Sequence, residues 1–186
     1  EVFVRWRRPL VDSTALDTLA EIGPYRFEVY GEAAFTPAPG VLRNASTSVL
    51  YAGLIDTFFT DNGLNTLSSP ESYRVDFYTR DSNQFSQSLP ASSIYLSVGA
   101  QNEALNLTWQ EDVPWNNTSY VVYRSLDNGV VFDSLTTVAT ASYLDTGLVN
   151  DSNYCYYAES YGAYTLAELA NDTLINKSQR ICGIPI

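Results

Sequence analysis

The sequence predicts an all-β protein that consists of two similar sandwiches in tandem. Three observations support this: short stretches alternate between apolar and polar residues, turn-forming residues separate these stretches, and the whole pattern occurs twice. Aromatic residues make up 13% of the 186 residues, and 14 of them are Tyr. Such flat side chains pack well on a pleated sheet. No segment shows a long 3.6-residue period, so we expect strands rather than helices.

The first element of each copy is a strand that ends in tryptophan. VFVRW occupies 2–6 and LNLTW occupies 105–109. In both, apolar residues recur at every second position, which places them on one face of a strand. We therefore expect Trp6 and Trp109 to lie in two equivalent cores.

The second element is an aromatic strand. YRFEVYG at 25–31 matches SYVVYRS at 119–125. The distance from the tryptophan to this strand is longer in the first copy by about ten residues, which we interpret as a surface loop insertion within 10–24. Leu16 and Leu19 in this insertion have the spacing of one helical turn.

The third element is a turn followed by a tyrosine. DNGL precedes Tyr73 and DTGL precedes Tyr154. Glycine permits a positive φ in such a turn. A leucine lies six residues before each tyrosine, Leu67 in the first copy and Leu148 in the second. Alternation resumes after each tyrosine, which predicts another strand.

Together these elements resemble fibronectin type III domains. The resemblance rests on the tryptophan of the second strand, the Y-x-V-Y-like third strand and the G-L-x(5)-Y motif, and it covers nearly the whole chain as two copies. It implies that Tyr73 and Tyr154 each fold over a sheet corner and hydrogen-bond the preceding loop. Leu67 and Leu148 would fill the core beneath them. The fold itself hosts many functions.

The resemblance also implies two domains, 1–96 and 97–186. SIYLSVGAQ at 93–101 could end the first sandwich and begin the second, since no Gly/Ser-rich or Pro-rich linker separates the copies. The first copy begins directly at its tryptophan strand. We therefore expect its usual first strand to be missing from this chain, with that edge either open or covered by an upstream segment.

The two cysteines fall on strands that are antiparallel neighbours in the family fold. The resemblance thus implies a disulfide between Cys155 and Cys182, and two separate thiols are the alternative. A composition rich in Asn, Thr and Ser is typical of an exported protein, in which disulfides persist.

The residue types argue against an enzyme. Histidine is absent and Lys177 is the single lysine, which removes catalysis by Ser-His-Asp or Cys-His groups and leaves carboxylate pairs for acid–base chemistry. Pairs such as Glu111 with Asp112 lie at strand ends or in loops, where solvated turn residues are common. The DNG turns at 61–63 and 127–129 offer oxygens to calcium but lack a D-x-D-x-D loop. We predict no catalytic residue, no metal and no cofactor.

Charge and hydropathy limit the partners. A net charge of −11 repels phosphate backbones, so we predict no nucleic-acid partner. No apolar run approaches the ~20 residues of a membrane span, so we predict no membrane insertion. Trp115 falls in a loop, where it could stack on a sugar ring or cover the open end of the sandwich beside Pro114.

Three segments, PWNNTSY, NYCYYAES and LINKSQRICGIP, resemble parts of large surface proteins of gliding Bacteroidota, many of which leave the cell by the type IX secretion route. Taken together, the sequence predicts a non-enzymatic structural or spacer module of a larger secreted or cell-surface protein. Its partners would be neighbouring domains of the same polypeptide. The alternative is an adhesion module that binds a glycan or a surface protein through end loops, namely the 10–24 insertion and Trp115.

Overall fold

The computed structural model describes residues 1–11, 16–36, 40–80, 83–165 and 173–186. These residues form β-strands and one short 3₁₀ turn, Tyr51–Gly53, but no α-helix. In this part of the chain no helix is long and apolar enough to cross a membrane.

Seven strands come first along the chain. They are β1 (Val2–Arg5), β2 (Tyr25–Glu32), β3 (Val41–Ser48), β4 (Phe58–Asp61), β5 (Ser72–Tyr78), β6 (Gln84–Gln87) and β7 (Ala91–Ser92). Eight further strands follow: β8 (Tyr95–Gln101), β9 (Ala104–Gln110), β10 (Asn116–Ser125), β11 (Asp133–Val138), β12 (Ser142–Thr146), β13 (Tyr154–Ala163), β14 (Leu174–Lys177) and β15 (Ile181–Gly183).

The chain divides into two compact units, which we call unit 1 and unit 2. Unit 1 comprises Glu1–Asn65 and Glu71–Ala91, and unit 2 comprises Thr66–Pro70 and Ser92–Ile186. The division after residue 96 that the sequence suggested falls inside β8, every residue of which pairs with β9. Along the chain, the boundary between the two units precedes β8.

Each unit contains a small and a larger antiparallel sheet. In unit 1, β1 pairs with β4, and the larger sheet has the order β3–β2–β5–β6 with β7 also on β5. In unit 2 the small sheet is β12–β9–β8, and the larger is β11–β10–β13–β14 with β15 also on β13. Apart from β8, which has no counterpart among the described residues of unit 1, the order is the same. The predicted fold class, two tandem fibronectin type III-like sandwiches, is confirmed.

The tryptophans face the two cores. Trp109 is 4% exposed and its ring meets Tyr120 edge-on at 5.3 Å. Trp6 meets Phe27 in the same way at 5.7 Å but stays half-buried. Both indole nitrogens are buried without a hydrogen-bond partner among the described residues, so each ring acts through packing.

A β-bulge marks equivalent points in the two larger sheets. It interrupts the β2–β3 ladder just after Val29 and the β10–β11 ladder just after Val122. The extra, unpaired residue is Arg43 in unit 1 and Leu135 in unit 2. Val29 is therefore the counterpart of Val122.

A serine divides the last strand of each unit in the same way. The Ser88 N–H donates to the Val75 carbonyl at 2.8 Å, and its Oγ accepts from the Val75 N–H at 2.9 Å. Ser178 makes the same two bonds with Ala158, each at 2.9 Å. These pairs make β6 and β7 the counterparts of β14 and β15.

The register corrects the match between the two tyrosines. Two residues beyond the matched valines, Gly31 of β2 lies opposite Tyr73, and Arg124 of β10 lies opposite Tyr156. Tyr73 is thus the counterpart of Tyr156 and not of Tyr154. The sequence match was shifted because the loops before the two strands differ in length.

We predicted that Leu67 and Leu148 fill the two cores, and the structure places only Leu148 there. Leu148 is 5% exposed, whereas Leu67 is 60% exposed and does not fill the core of unit 1. Gly63 and Gly147 adopt the same left-handed turn, with φ of 76° and 74°. Leu64, which directly follows Gly63 and is half-buried, is therefore the counterpart of Leu148. Counting back from a tyrosine found the wrong leucine.

The corner itself also differs between the units. Tyr154 is buried, and its hydroxyl accepts a hydrogen bond from the Val149 N–H at 3.0 Å. In unit 1 the residue at the position of Tyr154 is Glu71, which lies two residues before Tyr73. Glu71 is 3% exposed. A carboxyl group thus stands where the second unit has its corner phenol.

Candidate functional site

A buried aspartate joins the two sheets of unit 2. Tyr156 donates its hydroxyl proton to Asp145 Oδ2 at 2.8 Å, and Arg124 Nη1 donates to Oδ1 and Oδ2 at 3.1 and 2.9 Å. We call these residues the Asp145 cluster. Burial raises the pKa of the Tyr156 hydroxyl, and the hydrogen bond and charge of Asp145 raise it further. The phenol therefore stays a proton donor to the carboxylate.

Unit 1 has a similar arrangement, the Asp61 cluster. Tyr73 donates to Asp61 Oδ2 at 3.1 Å, and Arg43 Nε lies 3.7 Å from the same oxygen. Burial raises the pKa of the Tyr73 hydroxyl, as does the neighbouring Asp61 charge. The cation here is more distant from the acid than in unit 2, so the ion pair is weaker.

The arginines of the two clusters come from different strands. In unit 2 the cation is Arg124 of β10, and the bulged residue Leu135 packs against the core. In unit 1 the bulged residue Arg43 is itself the cation, and Gly31 stands in the place of Arg124. A Cβ on Gly31 would lie 2.8 Å from Tyr73 Cε1 and 3.0 Å from Arg43 Cγ. The absence of a side chain on Gly31 therefore leaves space for the side chains of Arg43 and Tyr73.

Glu71 adds a second carboxyl group near the Asp61 cluster. Burial raises the pKa of Glu71, the charge of Asp61 adds to this, and the charge of Arg43 opposes it. Two acids and one cation therefore share this end of unit 1, which makes its stability sensitive to pH.

Glu111 is not the solvated turn residue that the sequence indicated. Its carboxylate accepts hydrogen bonds from Asn117 Nδ2 at 2.7 Å, Ser160 Oγ at 3.2 Å and Asn176 Nδ2 at 2.8 Å. Burial raises the pKa of the adjacent Tyr120 hydroxyl, and the Glu111 charge contributes to the same shift. Three donors on three separate strands or loops make this acid a structural tie.

Trp115 packs against residues at the end of β13, and its role as a cover of the open end of the sandwich stays a prediction. Its Nε1 donates to Asn117 Oδ1 at 3.0 Å, and its ring meets Tyr164 at 6.1 Å, nearly perpendicular. A Cβ on Gly162 would lie 2.8 Å from Trp115 Cδ1. The indole is half-buried, with one edge on backbone and its polar atom bonded.

The described part of the 10–24 insertion is folded onto unit 1. Residues 12–15, within it, lie outside the described residues. Leu16 is fully buried in the core of unit 1. The Asp17 carbonyl accepts from the Glu21 N–H at 2.7 Å, which closes the single helical turn that the sequence indicated.

The end of this insertion is bonded to the segment after β5. Thr79 Oγ1 donates to Glu21 Oε2 at 3.1 Å, and the Arg80 N–H donates to the Ile22 carbonyl at 2.9 Å. Tyr25 adds a bond from its hydroxyl to the Glu21 carbonyl at 2.9 Å. This stretch is therefore a packed connection.

The DNG turn at 127–129 uses its aspartate internally. The Asp127 carboxylate accepts from Ser125 Oγ and from the N–H groups of Val130 and Val131, at 3.1 and 2.9 Å. These bonds, led by the one from Ser125, lower the pKa of Asp127. Its oxygens are committed to the turn. Among the described residues no group of three or more His, Cys, Asp or Glu could hold a metal ion.

The disulfide between Cys155 and Cys182 is present. The two residues are directly opposite each other in the β13–β15 ladder. Cys155 is buried because the turn covers it: a Cβ on Gly129 would lie 3.6 Å from its Sγ. The register makes Ser72 the unit 1 counterpart of Cys155, so the bridge is particular to unit 2.

The outer face of the larger sheet in unit 2 carries a ladder of rings and charges that the sequence did not reveal. Tyr123 stacks on Tyr157 at 4.4 Å, and Lys177 Nζ lies 4.0 Å from the Tyr157 ring centre. Lys177 also lies 3.1 Å from Glu159 Oε1. Tyr123 of β10 and Tyr157 of β13 were visible in the sequence, but only the strand register shows that they lie opposite each other.

No protein-family model matches the chain, and no curated protein does. Among solved structures, the chicken CNTN1 FN1–FN3 domains align at 11% identity and a TM-score of 0.39, over 87% of this chain and 56% of theirs. A β-1,2-glucanase from Parabacteroides distasonis aligns at 15% and 0.37, over 88% of this chain and 28% of its own. The chicken interferon gamma receptor alpha chain aligns at 13% and 0.35, over 99% and 92%. The chain thus spans little more than half of the first structure and under a third of the second.

Proposed function

We propose that this chain is a non-enzymatic structural spacer within a larger secreted or cell-surface polypeptide, and that its partners are neighbouring domains of that polypeptide. One observation carries the proposal: three acidic groups that could have formed a site are hydrogen-bonded to other parts of the fold. Asp127 serves its own turn, Glu111 ties three segments together, and Asp145 joins two sheets. Groups whose hydrogen bonds are made within the protein in this way favour a role in stability over a role in ligand binding.

An extracellular location is part of the proposal. The disulfide between Cys155 and Cys182 supports it, because such bonds persist in oxidising compartments and are rare in the cytosol. Export by the type IX route rests only on the likeness of three sequence segments to Bacteroidota surface proteins, and we include it as the finer part of the proposal.

The adhesion alternative has less support. Trp115 packs on Gly162 and Tyr164, and the described part of the 10–24 insertion is bonded to the segment after β5. Both are therefore engaged in contacts within the fold, and a half-buried indole offers less surface to a sugar ring than an exposed one does.

The test is a binding screen of the intact chain on glycan arrays and on a panel of surface proteins. We expect no saturable binding. Trp115→Ala would be screened beside Tyr164→Ala, which removes the same ring contact but keeps the indole. Saturable binding that is lost in Trp115→Ala and kept in Tyr164→Ala would refute the spacer proposal in favour of adhesion through this end of unit 2.

A further inference from the structure

The sequence Asp-Asn-Gly occurs once in each unit, and an asparagine that precedes glycine is chemically labile. The backbone nitrogen of the following residue can attack the carbonyl carbon of the asparagine side chain, and glycine hinders this attack least because it has no side chain. The two copies lie at 61–63 and 127–129 and are followed by Leu64 and Val130. Since their neighbours along the chain are so similar, a difference in reactivity between them has to come from the fold.

In the unit 2 copy both reacting groups are held by hydrogen bonds. The Gly129 N–H, which contains the attacking nitrogen, donates to Ser125 Oγ at 3.0 Å. The side-chain oxygen of Asn128 accepts from Asn153 Nδ2 at 2.9 Å. A Cβ on Gly129 would lie 3.6 Å from Cys155 Sγ. Both bonds have to open before the nitrogen can reach the carbon, so the reaction at Asn128 requires local unfolding of the turn.

The unit 1 copy is held much less. Asn62 and Gly63 are both exposed, and a Cβ on Gly63 would meet no atom within 4 Å. The Asn62 side chain makes one long hydrogen bond, from Nδ2 to the Thr60 carbonyl at 3.4 Å. Within the described part of the chain the Gly63 N–H has no acceptor. Solvent therefore reaches the attacking nitrogen, and the amide that it attacks is held by a single weak bond.

We propose that Asn62 is a site of spontaneous deamidation. Hydroxide takes the proton of the Gly63 N–H, the nitrogen forms a bond to Asn62 Cγ, and the Cγ–Nδ2 bond breaks. The departing nitrogen takes a proton from water and leaves as ammonia, which restores the hydroxide. Water then opens the resulting succinimide ring at either carbonyl. One product is aspartate, and the other is isoaspartate, in which the main chain runs through Cγ.

The reaction alters the surroundings of the Asp61 cluster. Either product places a new carboxylate directly after Asp61, whose cation, Arg43, lies 3.7 Å away. Like charges at this separation along the chain repel each other. Isoaspartate also adds an atom to the backbone between Asp61 and the half-buried Leu64. Deamidation of Asn62 therefore weakens unit 1 and leaves unit 2 unchanged.

The test incubates the intact chain in mildly alkaline buffer and follows both asparagines by peptide mapping and mass spectrometry, with electron-transfer fragmentation to distinguish isoaspartate from aspartate. Synthetic peptides that copy residues 58–67 and 124–133 serve as unfolded references. We expect the two peptides to react at similar rates. In the folded chain Asn62 should react at least about tenfold faster than Asn128, since two hydrogen bonds of ordinary net strength protect Asn128.

Two variants separate the steps of the argument. Asn153→Ala removes one of the bonds that hold Asn128 and should raise the rate at Asn128 without changing the rate at Asn62. Asn62→Gln keeps a neutral amide but would have to close a larger, less favourable ring. The urea midpoint of unit 1 should fall during incubation of the wild-type chain and stay constant in Asn62→Gln.

Equal rates at Asn62 and Asn128 in the folded chain, or a faster reaction at Asn128, would overturn the proposed site. If Asn62 reacts faster and the urea midpoint of unit 1 nevertheless stays constant as the product accumulates, the proposed effect on the Asp61 cluster is wrong.

Discussion

Unit 1 and unit 2 share a strand order, but different interactions stabilise them at equivalent positions. Trp109 belongs to the central strand of a three-stranded sheet, whereas Trp6 directly follows a strand of a two-stranded sheet. A disulfide joins the last strands of unit 2, whereas the counterpart of Cys155 in unit 1 is Ser72. The aspartate of unit 2 holds its arginine at 2.9 Å, and that of unit 1 at 3.7 Å.

These differences show that two units can keep the same strand order while individual stabilising interactions are replaced or absent. Burial, covalent bonding and charge pairing all favour unit 2, so we expect it to be the more stable unit. Each unit should therefore be followed separately, by hydrogen exchange and mass spectrometry of its own peptides in increasing urea, because one midpoint need not describe both.

The largest effect is expected from the tryptophans. Trp109→Ala should cost unit 2 about 4 kcal/mol, the usual loss for a fully buried aromatic residue. Trp6→Ala should cost unit 1 about 2 kcal/mol, because its ring is already partly exposed. The urea midpoints of both variants measure the two losses, with Trp109→Phe and Trp6→Phe as milder controls. Equal losses would show that β8 adds nothing to the burial of Trp109.

Removal of the disulfide comes next. Cys155→Ala with Cys182→Ala opens a loop with a separation of 27 residues, which should cost unit 2 about 3 kcal/mol. The urea midpoint of unit 1 should stay unchanged. The wild-type chain under reducing conditions serves as the matched control and should show a similar loss. A fall in both units would contradict the assignment of the bridge to unit 2 alone.

A double-mutant cycle in unit 1 tests whether positions 31 and 43 are energetically coupled. Gly31→Arg should cost about 2 kcal/mol through overpacking against Tyr73 and Arg43, and Arg43→Leu about 2 kcal/mol because Asp61 loses its cation. The double variant recreates the unit 2 arrangement. It should therefore lose at least ~1 kcal/mol less than the two single losses combined. Additive losses would mean that the two positions are independent.

A smaller effect is expected at the corner of unit 2. Tyr154→Phe removes the acceptor of the Val149 N–H and should cost unit 2 about 1 kcal/mol. The exchange rate of the Val149 amide should rise at the same time. Tyr143→Phe, in the same core, is the matched control and should change stability less. An unchanged Val149 amide in Tyr154→Phe would argue against the corner bond.

The smallest effect is a dependence of unit 1 on pH. Because the pKa of Glu71 is raised in the folded chain, its contribution is fully present below the usual pKa near 4.5 and is lost as the pH rises through the folded value. Glu71→Gln should flatten this decline. Urea midpoints of unit 1 between pH 4 and 8 measure it, and Glu103→Gln in unit 2 should leave the unit 1 profile unchanged.

Local patterns predicted the strands well, since alternation and paired tryptophans report directly on burial. Register was harder. Counting from Tyr73 matched the wrong tyrosine and chose Leu67 over Leu64, because loop length is free to vary where the chain runs over the surface. The aspartate clusters escaped notice for a different reason: Arg43 and Arg124 lie in the larger sheets and their acids in the small sheets, so only the packing of one sheet on the other brings each arginine to its acid.

Glu111 and Trp115 show a second limit. A strand-end acid and a loop tryptophan look the same in sequence whether they face water or pack inward. What decides is the presence of Asn176 and Gly162, which are distant along the chain and adjacent in the fold. The insertion was recognised, but the burial of Leu16 depends on a core that the local pattern does not describe.

The arginine that pairs with the buried aspartate lies on β3 in unit 1 and on β10 in unit 2, and this difference has a consequence for folding. Tandem copies of one fold can trade strands and become trapped in mixed pairings. If β10 paired with β5 of the other copy, Arg124 would be forced against Tyr73, at a place where even a single methyl group is too close. If β2 paired with β13, Asp145 would lose its cation. These residues therefore disfavour strand pairing between the two copies, and we expect them to direct each strand to partners of its own copy during folding.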